Sequence, residues 1–249
     1  ADPQVMLPDG LRKVFSAPLK GRCLVVGAGK AAASMAVALE QYAQEHWPEA
    51  KLEGMVITRY GHGLPTKLIQ VIEAGHPVPD EAGLNGAKET LRLIRTLQSG
   101  DQLIALISGG GSSLLTLPAA DLSIQDLQIT TQALLMSGAP IGQMNIVRKH
   151  LSAILGGHMA REAAGRGAKV DAFLISDVTG DHPSSIASGP CAPDESTFAD
   201  ALQILKDYDL LQGQIPKVVT DYLQNGLSGK NPETPKSGDP IFKQINNHL

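Results

Sequence analysis

Residues 103–113 read LIALISGGGSS, an apolar run without alternation that stops at three glycines and two serines. A strand with one wet face alternates apolar and polar residues. A continuous run is therefore read as a strand covered on both faces, the habit of parallel sheets with helices on either side. Residues 171–176 (DAFLIS) and 22–27 (RCLVVG) share this character, and 54–58 (GMVIT) and, more weakly, 69–73 add two further strands. Segments of helical period separate them: 29–46, rich in alanine and ending before Pro48; 85–98, with Ala87, Leu91, Ile94 and Leu97 on one face; 123–137; and 145–165. Two more helices are expected over 196–211 and 215–227. The alternation predicts an α/β fold, a doubly wound, mostly parallel sheet with helices on both faces, Rossmann-like. From Ser228 the composition turns to prolines, glycines and lysines, which predicts a domain over residues 1–227 and a linker over 228–249 leading toward a second domain.

Bulk composition narrows the function classes. The 249 residues are 43% hydrophobic and 18% charged, with a net charge of -4. A packed core is expected, and there is no basic surplus to neutralise a nucleic-acid backbone. The two cysteines, Cys23 and Cys191, are too few for a disulfide framework and wrongly spaced for a zinc site. No apolar stretch approaches the roughly 18 residues of a membrane span. The expectation is a cytoplasmic protein acting on small molecules, with neither nucleic acid nor membrane as partner and a homo-oligomer left open.

Four loops carry candidate chemistry. Gly27-Ala28-Gly29-Lys30-Ala31-Ala32 follows a strand and opens a helix, the G-x-G-x-x-A form of a dinucleotide fingerprint. A NAD site would want an acidic residue after the second strand, where Thr58 and Arg59 stand instead; an arginine there leaves NADP open. Lys30 is the informative residue, because a cation in a strand-to-helix turn stabilises a transferring phosphoryl group. In Ser108-Gly109-Gly110-Gly111-Ser112-Ser113, successive glycines free backbone N–H groups for an anion and the hydroxyls add donors. Asp177 and Asp181, after the 171–176 strand, could hold Mg²⁺ on a nucleotide or cap local turns. Asn145, Arg148 and Lys149 are read as opening a helix, with Arg148 and Lys149 pointing in different directions so that only one readily reaches a shared ligand. His62 and His76 each sit in a glycine-flanked loop, where a structural role and an acid or base role both stand.

Taken in order, VVGAGKAA, EAGHPVPDEAG, SGGGSSLL, NIVRKHLS and SDVTGDHPSSIASGP resemble the N-terminal domain of the bacterial and archaeal glycerate 2-kinases, some of which carry the name hydroxypyruvate reductase. The resemblance spans residues 21–193. It implies ATP-dependent phosphorylation of D-glycerate at its 2-hydroxyl, with Mg²⁺, in a cleft between this domain and a smaller C-terminal one. It also implies that Lys30 is the catalytic lysine and residues 108–113 the substrate loop, with Asp177 and Asp181 as the acidic block and Asn145, Arg148 and Lys149 as the basic one. Two departures stand out. Leu155 occupies a position where the family usually has a lysine before two glycines, and the chain ends where the second domain, with its catalytic arginine, would begin. A fragment inactive on its own is expected. The competing expectations are an NAD(P)H-dependent hydroxypyruvate reductase and a non-catalytic module that binds a sugar acid.

Overall fold

The computed structural model describes residues 2–176 and 180–249. Six strands form one all-parallel sheet: β1 (Gly21–Ala28), β2 (Ala50–Arg59), β3 (Ile69–Ala74), β4 (Gln102–Ser108), β5 (Lys169–Ile175) and β6 (Ile245–His248), in the order β3-β2-β1-β4-β5-β6. The helices are α1 (Pro3–Val14), α2 (Ala32–His46), α3 (Glu81–Ile94), the single turn α4 (Gly111–Leu114), α5 (Ile124–Met136), α6 (Ile141–His150), α7 (His158–Gly165), α8 (Phe198–Asp207) and α9 (Lys217–Leu227).

The unbroken apolar strands do what their composition demands. Every residue of β4 is buried, and alternate side chains feed opposite cores. Leu24, Val26, Leu103 and Ala105 pack with Ala87 and Ile94 of α3 and Met159 and Ala163 of α7 on one face. Cys23, Val25, Ile104 and Leu106 pack with Leu7 and Leu11 of α1 and Met35 and Leu39 of α2 on the other. A third cluster joins α5, α6, α8 and α9 through Leu134, Val147, Phe198, Leu205, Val219 and Leu223. These helices form an annex beside the sheet.

Three features differ from the sequence expectations. Helix α1, with Pro8 inside it and Asp2 capping its start, carries no simple helical signal yet buries Leu7 and Leu11 against the sheet. The single helix expected over 145–165 is two, because Gly156 and Gly157 take left-handed φ values of 59° and 88°. Their N–H groups donate to the carbonyls of Ser188 and Gly189 at 2.9 and 2.7 Å. Asn145, Arg148 and Lys149 consequently lie in the middle and last turn of α6 rather than at its start. Finally, the stretch from Ser228, expected as a linker, is tied back onto the domain. The Asp194 N–H donates to the Pro235 carbonyl at 2.9 Å, Thr234 donates to Asp194 at 3.0 Å, and β6 completes the sheet edge. Buried Asp171 holds β6 by accepting from Asn246 at 3.1 Å and bonding His248 at 2.8 Å. Among the described residues no helix is long and apolar enough to cross a membrane.

The strand order reverses between β1 and β4. Open α/β sheets place their ligands there, outside the carboxyl ends of the strands. Gly29 makes the reversal compact, sitting at φ 141° where an added Cβ would overlap Ser108 Oγ and its carbonyl. Gly100 also has a positive φ, 94°, but faces open space. Gly29→Ala should therefore destabilise by about 3 kcal/mol or more, backbone strain plus overlap, against about 1 kcal/mol for Gly100→Ala. Equal urea midpoints for the two variants would show that the β1–β4 contact is not under steric control.

Candidate functional site

Both glycine turns lie at this switch point and touch. The Lys30 N–H donates to the Gly109 carbonyl at 2.9 Å, and the Ala31 N–H donates to Ser108 Oγ at 3.0 Å. The Gly29 N–H donates to the Ile57 carbonyl at 3.0 Å. The backbone donors of the first loop are thus spent inside the protein. Gly27, within β1, presses against Leu106 of β4, and Ser108 is a buried brace. The sequence reading gave Gly27, Gly29 and Ser108 to the phosphate; the structure uses them to join two strands, and the Lys30 side chain is exposed at the turn.

The second loop is open where the first is closed. Gly110 adopts φ 83° and starts α4. The N–H groups of Gly110 and Ser112 meet no backbone acceptor among the described residues, as expected at the first turn of a helix. A Cβ on Gly110 would come within 2.9 Å of His76 Nε2 and 3.2 Å of Lys30 Cε, and one on Gly111 within 2.6 Å of Ala187 Cβ. Three segments distant in sequence therefore converge on one glycine turn.

They border a cleft, open to solvent, in which the centre of a water-sized sphere can sweep about 310 Å³. Lys30, His76, Pro77, Gly110, Ser112 and Ser113 line its sheet side, Leu135, Ile141, Asn145 and Arg148 its annex side, and Ser185 and Ala187 a third edge. That third edge is a left-handed turn, with Ala187, Ser188 and Gly189 at φ values of 51°, 57° and 57°. Two non-glycine residues in this region cost about 1–3 kcal/mol each. The turn is held by the Gly156 and Gly157 N–H groups and by a 2.8 Å bond between the Ser188 and Ser112 hydroxyls.

Arg148 and Lys149 part company, as adjacent helical residues must. Arg148 is half-buried in the cleft and donates to Asn145 Oδ1 at 3.4 Å, and no carboxylate pairs with it among the described residues. Burial pulls its guanidinium pKa below the ordinary value. A desolvated cation of this kind is stabilised by an anion in the cleft. Lys149, expected at the ligand, faces the opposite way: it is buried, and its ammonium donates to Asp194 at 2.7 Å. Of the acidic pair, Asp177 lies outside the described residues. Asp181 is exposed, at φ 48°, on the loop that leads to Ser185, and does not line the cleft. Among the described residues no three His, Cys, Asp or Glu side chains gather as a metal site.

Sequence reading left His76 undecided; the structure sets it over Gly110, while His62 is exposed and bonds Glu73 through its backbone. The sequence places Ile186–Pro190 in the same candidate loop as Asp177 and Asp181 without giving it a role, and carries no signal for the annex residues Leu135 and Ile141. Neither cysteine is a nucleophile at neutral pH: burial, with the Asp171 charge added for Cys23, pushes both thiols up to about 12.

The family model described as a domain of unknown function, DUF4147, matches residues 1–224. The chain belongs to this family. It is 46% identical over 239 residues to a protein of Agrobacterium vitis named as a hydroxypyruvate reductase, covering 96% of this chain and 50% of that protein. It is 43% identical to the glycerate 2-kinase of Pyrococcus horikoshii, covering 89% and 48%. The crystal structure of glycerate kinase from Thermotoga maritima superposes with a TM-score of 0.80 at 37% identity, over 99% of this chain and 55% of that one. The chain spans about half the length of these relatives.

The Lys149–Asp194 pair behind the cleft yields a prediction. Burial alone would raise the Asp194 carboxyl, but the hydrogen bond and charge of Lys149, with Ser196 and His150, outweigh it and hold the pKa below the ordinary 3.8. A depressed carboxylate contributes stability that is whole above its unfolded value and is lost as pH falls through the folded one. Lys149→Met should cost about 3–5 kcal/mol at pH 7 by leaving Asp194 buried and unpaired. The gap from wild type should narrow below pH 4. Urea unfolding at a series of pH values reads this directly; a gap constant down to pH 3 would remove the pair from the account.

Proposed function

We propose that the full-length protein is a glycerate 2-kinase, transferring the γ-phosphoryl group of ATP to the 2-hydroxyl of D-glycerate, with the Rossmann-like domain running on from the expected boundary at residue 227 through β6 and the chain then leading toward a second domain. The observation that carries this reading is the meeting, in one cleft at the switch point, of the Lys30 ammonium, the Arg148 guanidinium and the Gly110–Ser113 turn, with no carboxylate paired to Arg148 and no backbone acceptor on the Gly110 and Ser112 N–H groups among the described residues. Phosphoryl transfer asks little covalent work of a protein; it asks for fixed positive charge around the transferring group and its acceptor. The names borne by the kinase relatives point the same way.

In this reading Arg148, steadied by Asn145, takes the glycerate carboxylate, and the Gly109–Gly111 turn with Ser112 and Ser113 orients the acceptor. The acceptor oxygen attacks the γ-phosphorus, the bond from that phosphorus to the bridging oxygen breaks, ADP departs, and the hydroxyl proton passes to a base, for which His76 is the imidazole at hand. Lys30 faces the charge that develops. Mg²⁺ on the nucleotide would neutralise β- and γ-phosphate charge, with Asp177 and Asp181 as its proposed carboxylates; such sites use one or two carboxylates and otherwise phosphate and water. Lys149 is omitted from the binding set because Asp194 occupies it. The second domain would supply further charge to the open side of the cleft, and the setting is taken as cytoplasmic.

Hydroxypyruvate reduction is the rival, and one observation weighs against it. A dinucleotide fingerprint binds pyrophosphate with the backbone N–H groups at the first helix N-terminus. Here those of Gly29, Lys30 and Ala31 are already bonded to Ile57, Gly109 and Ser108.

Two measurements on the full-length protein test the reading. Glycerate with ATP should release ADP, and hydroxypyruvate with NADH or NADPH should consume no reductant; the reverse pattern would hand the site to the reductase. Lys30→Ala should lower kcat about a hundred- to a thousandfold, the usual effect of removing one transition-state contact, with Lys30→Arg rescuing poorly beside Gly110. A near-normal kcat with only a raised KM would limit Lys30 to binding.

A further inference from the structure

Behind the cleft lies a second cavity that it does not need for glycerate. Ser112, Ser113 and Arg148 line both spaces, so the two share a wall. The rest of the second cavity is formed by Leu127, Thr131 and Leu134 of α5, Val147 and Leu151 of α6, and Leu155. Three of its hydroxyls are taken up by the backbone: Thr130 donates to the Asp126 carbonyl at 2.7 Å and Thr116 to the Ser113 carbonyl at 2.6 Å, while Ser152 Oγ accepts from the Ile154 and Leu155 N–H groups at 3.1 Å. What remains facing inward is chiefly methyl and methylene.

Size decides what such a space can take. The centre of a water-sized sphere can sweep about 30 Å³ of it, where a single water needs about 10–15 Å³ by the same measure. The room suits a group of about two or three heavy atoms and is far too small for a purine, so it does not serve the nucleotide base. Water would find few partners there, and a short alkyl group would find packed walls.

From this juxtaposition we infer that the cavity is an acceptor subsite for a short alkyl branch, so that the substrate class comprises 2,3-dihydroxy acids carrying a methyl or ethyl group beyond the glycerate skeleton. The inference rests on the kinase reading. It adds that an acid whose carboxylate lies on Arg148 directs its far carbon past Ser112 and Ser113 into the pocket. The chemistry is unchanged: the acceptor O–P bond forms, the bond to ADP breaks, and one proton is released.

The experiment compares glycerate, 2,3-dihydroxybutanoate and 2,3-dihydroxypentanoate as acceptors for the full-length protein with ATP, followed by ADP release, alongside calorimetric titration of each acid alone. A methyl group in an apolar pocket is worth about tenfold or more in kcat/KM, so the butanoate should be used at least as well as glycerate. Thr131→Leu fills the pocket and should lower kcat/KM for the butanoate at least tenfold while glycerate changes less than twofold; Thr131→Val, of equal volume, should leave both unchanged. The pocket is refuted if wild type uses the butanoate a hundredfold worse than glycerate, or if folded Thr131→Leu loses both acids equally. Should no acid release ADP, the kinase reading falls, and titration still judges the pocket. Binding of the butanoate that Thr131→Leu abolishes would uphold it, and absence of binding would end it.

Discussion

The hydrogen bond from the Lys30 N–H to the Gly109 carbonyl, at 2.9 Å, joins the two turns that every part of the site is built around. It forms only because Gly27 and Gly29 present no Cβ to β4, so that the first turn lies flat on Leu106 and Ser108. With that contact made, the backbone donors of the first turn are consumed, while those of Gly110 and Ser112 meet no backbone acceptor among the described residues. The outcome inverts the usual division of labour at a Rossmann switch point. The first loop supplies a side-chain charge on a rigid mount, and the second supplies the open backbone donors.

The annex provides the complementary charge by a similarly economical device. Helix α6 carries Arg148 and Lys149 side by side, and helical geometry alone sends them about 100° apart. One enters the cleft with no carboxylate partner among the described residues; the other is neutralised within the protein by Asp194. Asp194 also accepts from Thr234 and Ser196, and His150 on the same helix bonds Glu233 at 3.2 Å. The segment 233–236 is thereby fastened to the back of the helix that presents Arg148 to the front.

Much of the fold was legible because its strands are extreme. LIALIS and DAFLIS admit few readings other than strands buried on both faces, and the doubly wound sheet follows from their alternation with amphipathic helices. Less legible was whatever depends on contacts distant in sequence. Helix α1 is stabilised by burying Leu7 and Leu11, against the local discouragement of Pro8. Strand β6 is specified by Asp171, 75 residues before Asn246, and its own sequence, INNH, has no strand character. In the site, glycine turns and cations were readable from residue type, and the divergence of Arg148 from Lys149 from helical spacing. Which glycines face the ligand and which face another strand was not, because that is decided by a neighbour some eighty positions away.

The left-handed turn at Ala187–Gly189 explains why the break between α6 and α7 is worth its cost. Two non-glycine residues in that region are disfavoured, and such a turn persists only when its surroundings over-determine it. The Gly156 and Gly157 N–H groups do so from behind by donating to Ser188 and Gly189, and the Ser112 hydroxyl does so from the front by bonding Ser188. An uninterrupted helix over 145–165 would have spent those two N–H groups on its own carbonyls and left the turn unheld. The helix is interrupted so that Ala187 can be pressed against Gly111. In that position it closes the one edge of the cleft that neither the sheet nor the annex supplies.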